Sequence, residues 1–145
     1  MYADLSFAAE YLDSRAFAEK WQALTDADRQ KLLTTATTQI DTFCLFYDDE
    51  ELPVYYDAAD APDWLRRACC EQALYLANLG KDPTQIEEVV AMGIASTKGT
   101  VFDRDMVADI LCVQCRRIIV NNGGEVSPEA CGNASGNISI CPVIK

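Results

Sequence analysis

The sequence predicts a mainly α protein: a small helical bundle with one β-hairpin and an extended C-terminal tail. Three observations predict it. Between Pro62 and Gly80, Leu65, Cys69, Gln72 or Ala73, Leu76 and Leu79 recur at helical spacing. Thr25-Asp-Ala-Asp28 is a helix start, with a hydroxyl that can accept from free first-turn N–H groups and two acids that favour the positive end. From Glu125 to Lys145 the composition turns to Gly, Ser, Asn and Pro, which cannot build a core of its own. The expected division is a helical domain over 1–122 and a tail over 123–145.

Taken in order, residues 3–24 read as two short helices. Leu5, Ala8, Ala9 and Leu12 share one side of the first, near Ser6 to Leu12. Phe17, Trp21 and Leu24 share one side of the second, near Ala16 to Leu24. Trp21 is large enough to anchor this pair against the rest of the chain. The next helix runs from Thr25 to about Phe43, burying Leu32, Leu33, Ala36, Ile40 and Phe43. Its threonines Thr34, Thr35, Thr37 and Thr38 are poor helix formers, so packing must hold it.

Residues 48–63 carry Asp48, Asp49, Glu50, Glu51, Asp57, Asp60 and Asp63 and no Lys or Arg. They read as a long ordered loop whose apolar middle, Leu52 to Tyr56, packs down while the acids face water. A calcium loop does not fit, because Asp48-Asp-Glu-Glu51 lacks alternating ligand spacing and a central Gly.

The central helix follows. Pro62 suits its first turn and Gly80 a left-handed cap. Arg67 and Glu71, four apart, are expected to pair on its outer face. Small residues (Ala68, Cys69, Cys70, Ala73, Ala77) let other helices approach closely. A short helical turn from Thr84 to Glu87 and a β-hairpin, Val89 to Ser96 with Thr100 to Phe102, come next. Asp103 caps a last helix from about Arg104 to Val120, with Met106, Val107, Ile110, Leu111, Gln114 and Ile118 inward and Cys115 and Ile119 widening that face. Asn121-Asn-Gly-Gly124 ends it. Ile138-Ser-Ile140 and Pro142-Val-Ile144 suit docking on a partner's sheet edge or groove.

The 145 residues make one domain the expectation, and half of them are apolar. No apolar run is long enough to span a bilayer, and the first residues lack the basic-then-apolar pattern of a secretion signal, so folding in a cytoplasm is expected. A formal net charge of −11 and a pI near 4.3 argue against a surface that grips phosphates. There is no histidine, which removes Ser-His and Cys-His nucleophile pairs and every His-containing metal site. Seven cysteines in a reducing compartment are expected to be mostly buried free thiols.

Cys112-Val-Gln-Cys115 is the one motif with a chemical name. A redox pair wants its first Cys at a helix N-terminus, whereas this pair is expected mid-helix. The sharper reading is a zinc site of Cys69 (or Cys70), Cys112 and Cys115, with Cys44 as a fourth ligand. The carboxylates look solvated, and no Gly-rich phosphate loop exists. The basic doublets Arg66-Arg67 and Arg116-Arg117 read as surface ion-pair partners. No catalytic residue and no cofactor is expected.

Four pieces resemble the head–tail connector (adaptor) proteins of long-tailed bacteriophages, including relatives labelled DnaT-like. They are Tyr2-Ala-Asp-Leu-Ser-Phe-Ala-Ala-Glu-Tyr-Leu12, Trp21-Gln-Ala-Leu-Thr-Asp-Ala-Asp-Arg-Gln-Lys-Leu-Leu33, Thr37-Thr-Gln-Ile-Asp-Thr-Phe43, and Pro62 to Leu79 with Cys70-Glu-Gln-Ala-Leu-Tyr-Leu76 at its heart. The resemblance covers residues 2–80 and rests on order and spacing. Leu52-Pro-Val-Tyr-Tyr-Asp57 departs from the Phe-Pro-Arg-like piece common in that family, and so does the cysteine-rich last third.

The resemblance implies a non-enzymatic virion protein in the neck between capsid and tail, assembled in the host cytoplasm. It implies a ring, commonly of about twelve copies, beneath the portal protein, which extends the DNA channel and docks a stopper or tail-terminator protein. DNA would pass through without specific binding, and no membrane would be involved. Asp48, Asp49, Glu50, Glu51, Asp57, Asp60 and Asp63 then become candidates to line the channel, because carboxylates repel phosphates. Arg66, Arg67 and Glu71, with Ile138, Ile140, Val143 and Ile144 of the tail, become candidates for subunit or portal contacts. Two other classes stand beside it: a single-stranded nucleic-acid-binding accessory protein, which the net charge disfavours, and a cytosolic thiol- or zinc-containing helical regulatory protein.

Overall fold

A computed structural model describes residues 1–80 and 109–131. Within them the chain is mainly helical with a small antiparallel sheet. The helices are α1 (Leu5–Leu12), α2 (Glu19–Gln22), α3 (Asp26–Phe43), α4 (Asp63–Leu79) and α5 (Val113–Asn121). The strands are β1 (Cys44–Tyr47), β2 (Pro53–Val54) and β3 (Glu125–Val126), in the order β2-β1-β3. A 3-10 turn, Pro128–Ala130, follows β3. The expected turn at Thr84 to Glu87, the hairpin from Val89 to Phe102 and the tail segments Ile138 to Ile140 and Val143 to Ile144 lie outside the described residues.

α4 is the centre. Seven consecutive residues, Ala68 to Leu74, are buried, so the helix is enclosed on every side over two turns. It packs most extensively against α3 and α5, then against α1 and α2. Pro62 is its N-cap, with extended backbone, and Gly80 is its left-handed C-cap at φ 68°. The Gly80 N–H donates to the Leu76 carbonyl at 3.0 Å, satisfying one of the last free carbonyls. Enclosure has a cost: any polar side chain in the middle of α4 must find a partner inside the protein.

α3 starts as its residues dictate. The Thr25 hydroxyl accepts from the Asp28 N–H, and Asp26 and Asp28 sit in the first turn. Leu33, Ala36 and Ile40 are buried along one stripe. The hydroxyls of Thr34, Thr35, Thr37 and Thr38 each donate to the carbonyl four residues back. This satisfies them locally without adding to helix propensity.

Five expectations are corrected. Phe17 does not join Trp21 in the core: it sits at φ 65° and is 79% exposed, and α2 is a single turn, Glu19–Gln22. The expected loop over 48–63 contains a strand, β2, which pairs with β1 (Phe46 opposite Val54), and β1 pairs in turn with β3 (Cys44 opposite Val126). Of the expected last helix, residues 104–108 lie outside the described residues; 109–112 are held in a non-helical path by side chains of α4, the described helix begins at Val113, and Gln114 faces outward. Residues 123–131 belong to the folded body and not to a tail. β3 completes the sheet, and the Ala130 carbonyl accepts from the N–H groups of Ile110 and Leu111 at 2.8 and 3.1 Å. Arg116 is buried, bonded to the Asp109 carboxylate at 3.0 Å and to Cys131 Sγ, instead of forming an outer doublet with Arg117.

Candidate functional site

The acidic stretch forms an exposed edge built on the β1–β2 hairpin. Phe46 and Tyr47 pair with Val54 and Pro53, leaving 48–52 to close the hairpin. One oxygen of the Asp48 carboxylate accepts from the Glu50 and Leu52 N–H groups at 2.9 Å each, while Asp48 N–H donates to the Leu52 carbonyl at 2.9 Å. This side-chain-closed turn orders the loop and places Glu51 at φ 60°. Asp49, Glu50, Glu51, Asp57, Asp60 and Asp63 are exposed, as is Asp48. Only Asp63 meets a cation among the described residues, at 3.9 Å from Arg66. Six carboxylates thus face water without a countercharge. The apolar middle of the stretch is divided: Val54 and Tyr56 pack inward, while Leu52 and Tyr55 stand 54% and 88% exposed.

The expected contact residues on α4 separate. Glu71 is 5% exposed and does not pair with Arg67. The Tyr11 hydroxyl donates to it at 2.8 Å and Arg15 reaches it at 2.9 Å, so its charge is spent holding α1 and the following turn onto α4. Burial first, and then the Glu71 hydrogen bond, push the Tyr11 phenol up to about 12. Arg66 bonds Asp4 at 3.2 Å and lies 4.0 Å over the Phe7 ring. Arg67 is exposed and makes no ion pair among the described residues. It is the one of the three that remains on an open surface.

The described cysteines do not assemble a metal centre. Among the described residues, no three His, Cys, Asp or Glu side chains lie together in a group that could hold an ion. Cys69 points at α3, donating to the Leu33 carbonyl at 3.6 Å and meeting the Thr37 hydroxyl at 3.5 Å. Cys112 is the N-cap of α5 and accepts from the Cys115 N–H at 3.4 Å, so the pair opens the helix and is not mid-helix. That position does not activate it. Burial pushes the Cys112 thiol up to about 11 and the buried Cys115 thiol well above its ordinary value. Cys44, Cys69, Cys70, Cys112 and Cys115 are free thiols, and Cys131 is disulfide-bonded.

A buried amide organises this end of the molecule. The Gln72 side chain, fully buried, donates to the Gln39 side-chain oxygen at 2.7 Å and to the Ile110 carbonyl at 2.6 Å. Its oxygen accepts from the Cys112 N–H at 2.8 Å. The Tyr75 hydroxyl donates to the Asp109 carbonyl at 2.7 Å. Two side chains of α4 therefore position the entry into α5.

Sequence reasoning missed one further feature. A cavity of about 310 Å³ opens beside the β1–β2 hairpin, with Tyr2, Asp41, Phe46, Val54, Tyr55 and Tyr56 in its lining. The Tyr2 hydroxyl donates to the Asp41 carboxylate. Phe46, Tyr56 and Trp64 meet edge to face at 5.6 to 6.0 Å, which fixes the inner rings. The available signal was Tyr55-Tyr56 directly after Pro53-Val54, two adjacent aromatics that point to opposite faces of an extended segment.

Comparison with known proteins finds no matching family model, no matching curated protein and no matching solved structure.

Proposed function

We propose that this chain is a structural virion protein, a head–tail connector whose copies form a ring beneath the portal and extend the DNA channel. The observation that carries the reading is the exposed edge at 48–63, where six carboxylates lack a countercharge among the described residues. Such an edge turned to a lumen repels phosphates and lets DNA slide, whereas a basic lumen would hold it. The mainly helical body, with a small sheet that orders the acidic hairpin, agrees with a scaffold that presents a fixed surface. The resemblance over residues 2–80 supports the same role, with no catalytic step. The portal and a stopper or tail-terminator protein are the partners this role requires. Arg67 and the segment from Ile138 to Ile144 are the proposed subunit or portal contacts.

The test is charge reversal. Asp48, Asp49, Glu50 and Glu51 replaced together by Lys should slow or arrest DNA ejection from assembled particles while ring assembly persists. Ejection at the original rate from rings that contain the variant would remove the lumen role. Salt-dependent retention of the unmodified protein on single-stranded DNA would favour the nucleic-acid-binding alternative.

A further inference from the structure

The cavity beside the β1–β2 hairpin has a chemistry that selects its guest. Its volume, about 310 Å³, is at the small end of ligand pockets and suits one long side chain. Tyr2, Phe46, Tyr55 and Tyr56 supply aromatic surface, and among the described residues the only charged group in the lining is the Asp41 carboxylate. No Lys or Arg lines it, and Asp41 makes no ion pair among the described residues. Anions are therefore excluded. Aromatic rings together with a carboxylate are the surroundings that favour a cation.

We infer that this cavity is a binding site for a cationic side chain, an arginine presented by a partner protein. Arginine fits better than lysine because its planar guanidinium stacks on rings and donates in-plane to a carboxylate. A protein-borne arginine fits better than a free small molecule because the surroundings of the cavity are apolar and open. Leu45 and Tyr55, both in the lining, are 51% and 88% exposed, and Leu52 on the same hairpin is 54% exposed. A peptide backbone carrying the arginine would cover them. The adjoining acids Asp48 to Glu51 add a field that draws a basic segment to this edge. The Tyr2 phenol is pushed well above its ordinary value, by burial first and then by Asp41, so it stays a neutral donor that holds the carboxylate in place. The site does not depend on the connector reading.

The probe is the tripeptide acetyl-Leu-Arg-Leu-amide, titrated into the full chain and followed by NMR of the tyrosine rings. Its control is the same peptide with citrulline, which keeps the shape and loses the charge. The expected result is saturable binding that shifts the Tyr2, Tyr55 and Tyr56 rings, with the citrulline peptide at least about fivefold weaker. Asp41→Asn and Tyr55→Ala, both at exposed positions, should each weaken the arginine peptide by about threefold or more. Equal binding of the two peptides would overturn the inference. So would an absence of saturable shifts, or an affinity unchanged in both variants. If either variant fails to fold, the comparison of the two peptides on the unmodified chain decides alone.

Discussion

Gln72→Leu is the sharpest test of how α4 governs the structure. Leucine matches glutamine roughly in volume and suits a helix interior, so the change isolates the amide. Three hydrogen bonds vanish, to Gln39, to the Ile110 carbonyl and from the Cys112 N–H. The Ile110 carbonyl and the Cys112 N–H are left without their side-chain partner in a closed environment. Each orphaned group costs about 1–3 kcal/mol, and the apolar leucine returns part of that, which leaves a loss of about 3 kcal/mol. For a chain of 145 residues, this lowers the melting temperature by about 10 °C. Gln39→Leu is the internal control. Gln39 Nε2 already has no partner among the described residues. Removing it deletes one orphan while costing Gln72 one acceptor, so stability should change by less than about 1 kcal/mol. Urea and thermal unfolding followed by circular dichroism measure both. A Gln72→Leu loss below about 1 kcal/mol, or equal losses for the two variants, would refute the account of α4 as the organiser of the α5 entry.

Two further outcomes follow from the same packing. In Gly124→Ala the new Cβ would lie 2.5 Å from Ile119 Cγ2 and 3.2 Å from Phe46 Cδ1, so the turn into β3 must shift. The cost should be about 2 kcal/mol, read from denaturant midpoints, and an unchanged midpoint would contradict the tight approach. In alkali, Tyr11 and Tyr75 ionise late, both raised from the ordinary 10.0 to about 12, chiefly by burial, with Glu71 and Asp109 as the second cause. A raised folded value means the folded state holds the proton more tightly. The contribution is therefore complete below pH 10 and lost as pH rises towards 12. Denaturant midpoints should fall across that window while tyrosinate absorbance shows a late-ionising fraction. Ionisation of every tyrosine near 10 with native structure retained would contradict it.

Local signals were legible where one residue type carries a local job. Thr25 and Gly80 are the caps their chemistry predicts, the buried stripe of α3 follows the helical period, and Leu65, Cys69, Ala73 and Leu76 of α4 are buried as their spacing suggested, although enclosure buries the residues between them as well. What could not be read depends on distant partners. Glu71 sits four residues from Arg67, so local spacing suggested an outer pair. Its actual partners, Tyr11 and Arg15, lie 60 and 56 residues away. β1 was hidden because Phe43-Cys-Leu-Phe-Tyr47 continues an apolar run out of a helix with no Gly or Pro to mark the change. The start of α5 was hidden because cysteine is not a usual N-cap, and because Gln72 and Tyr75 hold the preceding residues out of the helix. The acidic edge was visible in composition alone. The cavity beside it was not, since Tyr2, Asp41 and Tyr55 come together only through the fold.

The connector proposal makes one demand that no monomeric reading shares: the chain must close into a ring. Native mass spectrometry of the full chain, with negative-stain imaging of the same sample, measures this directly. The account predicts a closed ring of about twelve subunits, weakened by Arg67→Glu. A stable monomer across protein concentration and ionic strength would contradict it.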